Sequence, residues 1–288
     1  MSAPVLVVGS VAYDDVATPQ DSRKEQLVGV VGRDFKDSDR QMLVDHGVDV
    51  DGLITDNDGD SFRWGGRYHD DMNQRTTLYT HLNVFERFNP VLPPAYRAAD
   101  FLFLGNIHPA LQANVLDQVE GAKFVTLDTM NFWIDGELDA LHKVLGRVDG
   151  LVINDEEGAL LTGARTALTI GRGLQALGPK TVVLKRGEHG ALLFHNQDIF
   201  FVPGFPLEDV VDPTGAGDTF AGGFMGYLAH AEELTLDNLR RAMLTGSIMA
   251  SFCVEGFGLE RLATVTIDDI RARYHSFESL TRCPSLTL

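Results

Sequence analysis

Two cysteines in 288 residues, Cys253 and Cys283, exclude a disulfide framework and a cysteine-based metal centre. The nine histidines never pair as His-x-x-x-His, which removes the usual helical zinc ligand pair. No apolar run approaches membrane-spanning length. The short β-branched stretch Val5 to Val8 has no basic region ahead of it and reads as a first strand, not a signal peptide, so a cytoplasmic protein is expected. Positive charge is also scarce. With 24 Lys and Arg against 41 Asp and Glu, the net charge of −17 argues against nucleic acid or anionic membrane as the main partner. A nucleotide stays allowed, because magnesium neutralises much of a triphosphate and local cations such as Lys185 and Arg186 override the global field. No Gly-x-Gly-x-x-Gly follows the first strand, so a nicotinamide-dependent dehydrogenase fails on pattern.

What is present is an ordinary globular composition, 44% hydrophobic, with length for one large α/β domain. Apolar strand candidates at Val5–Val8, Leu27–Val31, Phe101–Leu104, Phe124–Leu127, Leu151–Ile153 and Thr181–Leu184 alternate with helical patterns. Helices are expected near 37–46, ending at Gly47, and near 109–119, 137–145 and 166–177. That alternation predicts an open, mostly parallel sheet flanked by helices. Between Ser61 and Val84 the texture changes to β-type spacing with Phe62, Trp64, Tyr68, Leu78 and Tyr79, and turn candidates at Gly65-Gly66 and Asp70–Asn73. This reads as a small antiparallel ribbon that covers a cleft or pairs with a second subunit.

The most informative stretch is Asp212-Pro213-Thr214-Gly215-Ala216-Gly217-Asp218-Thr219-Phe220. Gly215, Ala216 and Gly217 leave backbone N–H groups open to an anion, and the spacing of Phe220, Ala221, Phe224, Tyr227 and Leu228 opens an amphipathic helix there. Asp218 then stands beside developing negative charge, placed to take a proton from an attacking hydroxyl. The plain alternative is a glycine-rich helix start with a capping aspartate. The whole nine-residue run resembles the C-terminal signature of the ribokinase-like (PfkB) carbohydrate and nucleoside kinases. The resemblance implies a single ribokinase-like domain over residues 1–288, with a small antiparallel β lid from about 11–26 and 61–84. It also implies Asp218 as catalytic base and the Gly215, Ala216 and Gly217 amides as the anion hole.

Further motifs carry the same resemblance. Gly9 to Asp14 is similar to the family's opening Gly-x-x-x-x-Asp, which makes Asp14 a ligand of substrate hydroxyls; a solvated loop acid is the alternative. Asn154-Asp155-Glu156-Glu157 resembles the family's Asn-x-x-Glu, in which Asn154 and Glu157 help hold Mg2+ and phosphate through water; an acidic helix start is the alternative. Lys185 to Gly190 resembles the family's nucleotide-phosphate loop, with Lys185, Gly187 and Gly190 facing ATP, or else an ordinary hairpin turn. Asp212 and Thr214 match positions where some relatives bind a monovalent cation, often K+. Asn106, in Gly105-Asn106-Ile107-His108, and the set Asp128-Thr129-Met130-Asn131 sit where the rim meets the acceptor, with Asn106 a substrate candidate. His108 reads as a helix-opening residue and Cys253 as core.

One departure interrupts the resemblance. The family's Gly-Gly hinge and the helix after it belong between Gln26 and Leu27, and this chain has neither. Either this sequence omits a segment of the natural protein, as the undisturbed flanks favour, or the chain has lost it. An intact mass near 31.6 kDa supports loss, and a few kDa more supports omission. The expected function is an ATP- and Mg2+-dependent kinase acting on a hydroxyl of a sugar or nucleoside. The rival is a non-catalytic nucleotide- or sugar-binding protein of the same fold. A homodimer through the lid stays open.

Overall fold

The computed structural model describes residues 4–9, 25–69 and 75–282. Among these, the chain forms β1 (Val5–Val8), β2 (Glu25–Gly32), α1 (Asp37–Asp45), β3 (Val48–Asp56), β4 (Arg63–Tyr68), β5 (Arg75–His81), β6 (Phe101–Leu104) and α2 (Pro109–Gln118). It continues through β7 (Phe124–Leu127), α3 (Asn131–Gly136), α4 (Leu138–Leu145), β8 (Gly150–Asn154), α5 (Asp155–Thr162), α6 (Ala167–Ala176) and β9 (Thr181–Lys185). The last elements are β10 (Ala191–His195), β11 (Asp198–Val202), α7 (Ala216–Ala231), α8 (Leu236–Cys253) and α9 (Ile267–Thr281).

Nine strands make one sheet in the order β11-β10-β9-β8-β7-β6-β1-β2-β3. Pairing is parallel from β9 to β3, and the β10–β11 hairpin closes one edge antiparallel. Residues of β6 and β7 are buried throughout, as expected for strands covered on both faces. One core layer joins β1, β2, β6 and β7 to α2, α4 and α6. The other packs Phe101, Phe103 and Val183 beneath α7 and α8. α7 and α8 meet through small residues, since a β-carbon on Gly223 would lie 3.0 Å from the Gly246 Cα.

β4 and β5 form a separate antiparallel ribbon. Gly65-Gly66 is not a turn but an irregularity within β4, where the register shifts against β5. Aromatic rings plate these glycines: a β-carbon on Gly66 would meet the Trp64 ring at 2.2 Å, and one on Gly65 the Tyr79 ring at 2.4 Å. The ribbon is rooted at Asp34. Its carboxylate accepts from Ser61 N (2.6 Å) and from Arg63 (2.7 Å), while Ser61 Oγ accepts from Gly32 N at 2.9 Å. Burial pushes the Asp34 carboxyl up, but the bonds from Arg63 and Ser61 outweigh it and hold the group down at about 2.

Glu25 and Gln26, the end of the expected first lid segment, open β2 in the main sheet; the strand continues across the Gln26–Leu27 junction, but its register against β3 shifts there, between Gln26 and Val28. The turn candidate at Asp70–Asn73 and most of the first lid segment lie outside the described residues. The strand β3 and the helix α3 went unnoticed in the sequence. β3 has nine residues but interleaves acids with its apolar positions, and α3 is only six residues long, so neither shows the apolar regularity of its neighbours.

Candidate active site

Strand order reverses between β1 and β6, because the chain passes from β1 to β2 and β3 on one side and resumes at β6 on the other. Ligands of open α/β sheets bind at that crevice, beyond the carboxyl ends of the strands. Here the crevice floor is Gly9 against Gly105: Gly105 N donates to Val8 O at 2.7 Å, and a β-carbon on Gly9 would lie 3.4 Å from the Gly105 Cα. Because β6 to β9 run parallel, Asn106, Asp128, Asn154 and Lys185 all fall on this one rim.

The Asp212–Phe220 run is the turn into α7, as its small residues predict. Gly215 is the N-cap at φ 78°, a left-handed conformation that a β-carbon would strain, and no side chain caps the helix. The first-turn amides of a helix have no intrahelical carbonyl, so this end presents donors and the positive end of the helix dipole, although the Ala216 N–H, one of the three expected in the anion hole, donates to Pro213 O at 3.2 Å. Asp218 lies in that first turn and is exposed. Buried Phe220 fixes the turn from behind, with its ring about 3.0 Å from where a Gly246 β-carbon would stand. Tyr68 of the ribbon reaches this turn: Thr214 Oγ1 donates to Tyr68 Oη at 3.3 Å. Asp212 and Thr214 already have partners within the protein. The Asp212 carboxylate accepts from Thr214 N (2.9 Å) and Gly258 N (3.4 Å), and the Cys253 thiol donates to Thr214 O at 3.4 Å.

Asn154 and Glu157 form a capping box at the start of α5. Asn154 Oδ1 accepts from Glu157 N at 2.8 Å, and Glu157 Oε2 accepts from Asn154 N at 3.2 Å. The acidic helix start is thus what the structure shows, and it sets the buried Glu157 on the rim. Arg186 is engaged with Asp155 at 3.5 Å, whereas Lys185 carries no hydrogen bond or ion pair among the described residues. Gly190 closes the β9–β10 turn: its N–H donates to Gly187 O and its carbonyl accepts from Arg186 N.

Asp128 was part of a rim segment in the sequence reading but was not singled out there. In the structure it is buried at the end of β7, and its Oδ1 has no hydrogen-bond partner. Burial raises its pKa well above the ordinary carboxylate value, the nearby charge of Asp218 adds to this, Lys185 opposes it and Glu157 raises it again. A buried acid without a partner at a strand end is the kind of group found where ligands bind. Gln112 supports the same corner, donating from Nε2 to Gly105 O (3.0 Å) and to Asp128 O (3.1 Å). Sequence periodicity marks Gln112 only as a helix residue, and nothing in it signals this bridge.

Asn106 reaches the rim, but its amide is engaged inside the protein. Oδ1 accepts from Trp133 Nε1 at 2.9 Å, and Nδ2 lies 3.0 Å from Met130 Sδ. His108 is the N-cap of α2, its Nδ1 accepting from Ala110 N, as the helix-opening reading requires. Asp14 lies outside the described residues. Among the described residues no cluster of three or more His, Cys, Asp or Glu makes a metal cage. Sparse carboxylates beside an anion turn suit magnesium that arrives with a nucleotide and keeps most of its waters.

The architecture is that of the ribokinase-like kinases. The chain superposes on a putative ribokinase II of E. coli with a TM-score of 0.76 at 20% identity, covering 95% of this chain and 99% of that one. It superposes on Arabidopsis thaliana ribokinase, solved with ribose and ATP, with a TM-score of 0.73 at 20% identity over 95% and 99% of the two chains. At the sequence level, residues 22–261 match the pfkB family carbohydrate kinase profile, and the chain belongs to that family. It is 32% identical to a cytidine kinase of Thermococcus kodakarensis over 167 residues, 56% of this chain and 59% of that protein. It is 26% identical to a nucleoside kinase of Methanothermobacter thermautotrophicus over 240 residues, 82% and 74% of the two.

Proposed function

We propose that this chain transfers the γ-phosphoryl group of ATP to a hydroxyl of a nucleoside or sugar, with a nucleoside as the first choice. The observation that carries the reading is the uncapped start of α7, with Gly215 left-handed and Asp218 in the first turn. Asp218 takes the proton of the acceptor hydroxyl as its oxygen bonds to phosphorus and the bond from phosphorus to the leaving oxygen of ADP breaks. The amides of Gly215 and Gly217 receive the charge that gathers on the phosphoryl oxygens, and the Ala216 N–H joins them by turning from Pro213 O. Lys185 and Gly187 would face the nucleotide phosphates, Gly190 would shape that turn, and Asn154 and Glu157 would be the residues to hold a magnesium ion through water. Magnesium, when bound with ATP, neutralises the triphosphate. Asp14 holds acceptor hydroxyls in this scheme, and Asn106, whose amide is engaged by Trp133 and Met130, remains a candidate for the acceptor side.

The nucleoside preference is supported by the two relatives above, whose names give cytidine and nucleoside as substrates. The exposed Leu78 and Tyr79 of the ribbon serve either to cover the acceptor or to pair with a second copy. Asp212 and Thr214 would be the residues to hold a monovalent cation, and a K+ requirement would show as activity lost in sodium buffer. No helix of the described residues is long and apolar enough to cross a membrane, and ATP supply fits a cytoplasmic enzyme.

The test is ADP release with Mg-ATP across a panel of nucleosides, pentoses and hexose phosphates, comparing wild type with Asp218→Asn. Acceptor-dependent turnover should fall by roughly 100- to 10,000-fold in the variant. Folded wild type that turns over no acceptor would instead favour the non-catalytic binding protein.

A further inference from the structure

Lys185 ends β9 half-buried, with no hydrogen bond or ion pair of its own among the described residues. Its position is defined from an unexpected side. A β-carbon on Gly217 would lie 2.6 Å from Lys185 Nζ and 3.7 Å from Cε, with no other heavy atom near. The ammonium therefore rests directly on the anion turn, against the first turn of α7. A cation at a helix N-terminus faces the positive end of the dipole, an arrangement that is unfavourable unless an anion lies between them. Arg186, next in the chain, is already paired with Asp155, so the turn between β9 and β10 does not offer two equivalent cations. Two strands away on the same rim, Asp128 presents the buried unpartnered Oδ1 and feels the charge of Lys185.

We propose that Lys185 is a catalytic residue, whose ammonium, seated on Gly217, binds the oxygens of the phosphoryl group while it is being transferred. This places it on the reacting group and not on the phosphates that ADP keeps, and it gives the absence of a side chain at position 217 a use, since a methyl there would push the ammonium aside. The inference rests on the kinase reading above and adds a role to it. The preorganised ammonium and amides converge on one spot, which the nearly dissociative phosphoryl group crosses with its charge spread over three oxygens.

The experiment uses the full chain with Mg-ATP and the acceptor identified in the panel. Lys185→Met should lower kcat by roughly 100- to 1,000-fold, the usual loss for one charge-stabilising donor. Affinity for Mg-ADP, which lacks the transferred group, should stay within a few-fold, while affinity for Mg-AMP-PNP, which retains a terminal phosphoryl, should drop about tenfold. A kcat near wild type, or equal losses for ADP and AMP-PNP, would overturn the proposal and return Lys185 to the nucleotide tail. Gly217→Ala supplies a second, independent variant, since its methyl occupies the place of the ammonium. It should lose kcat similarly, and the double variant should be little worse than either single one. Fully additive losses would mean that the two residues act apart, against the proposal. If wild type turns over no acceptor, the kinase reading fails, yet the ADP against AMP-PNP comparison still decides where Lys185 acts.

Discussion

Asp128→Asn is the sharpest probe of how this site is held in the ligand-free protein. The carboxyl is buried at the end of β7 with Oδ1 unpaired, and its pKa lies well above the ordinary 3.8. The consequence for stability follows from proton counts. Below 3.8 both folded and unfolded chains hold the proton, and Asp128 contributes nothing to pH dependence. Above it the unfolded chain releases the proton while the folded one keeps it, so stability falls as the pH rises until the folded group also ionises. The slope in that window is about 1.4 kcal/mol per pH unit. Asn has nearly the same shape and no proton to lose. The advantage of the variant should therefore grow from near zero at pH 4 by about 1.4 kcal/mol per unit, roughly 3 °C in melting temperature for a chain of this size. Thermal or urea unfolding of both proteins from pH 4 to 8, without nucleotide, measures it. A difference that is flat with pH, or that favours wild type more strongly as pH rises, would refute the picture of a buried, uncompensated acid. Turnover should fall in the same variant, because a group kept at this cost in an open crevice serves the ligand and not the fold.

Other consequences can be read in single measurements. Asp34→Asn should loosen the ribbon root and cost about 1 kcal/mol at neutral pH, a modest figure because Arg63 is 59% exposed and screened. That cost is present above the unfolded value of 3.8 and disappears as the pH falls toward about 2, which a pH series of urea unfolding would show. A pH-independent loss would mean that the carboxylate charge is irrelevant there. Gly190→Ala should be among the most damaging small changes. Gly190 has φ 83°, and its β-carbon would lie 2.1 Å from Val202 O and 2.6 Å from Gly204 N, all rigid backbone. A loss of roughly 4 kcal/mol or more is expected, visible as poor soluble yield or a lowered urea midpoint. A soluble variant with an unchanged midpoint would show that the turn can move aside.

The sequence by itself determined the parts of this protein that depend on local chemistry. Runs such as Phe101–Leu104 and Thr181–Leu184 are short, almost wholly apolar and rich in Phe, Val and Leu, which marks them as buried strands within an α/β alternation. The Asp212–Phe220 run likewise carries its own instructions, since its glycines permit the turn and the apolar spacing after it makes the helix. The helical start at Asn154 was equally legible, because a capping box involves only four neighbouring residues. Tertiary structure decided what no local pattern encodes, namely which distant groups share a volume. The order of strands brings Asp128, Asn154 and Lys185 to one rim, and only there does Asp128 become a buried acid with one oxygen unpartnered. Asn106, an open candidate in the sequence, is drawn inward because Trp133 and Met130 fold over it from the next strand connection. Lys185 comes to rest on Gly217, 32 residues further along the chain, because β9 ends beside the start of α7. Burial, charge balance and the direction of a long flexible side chain are properties of the assembled neighbourhood, and they are what turn a recognisable motif into a particular site.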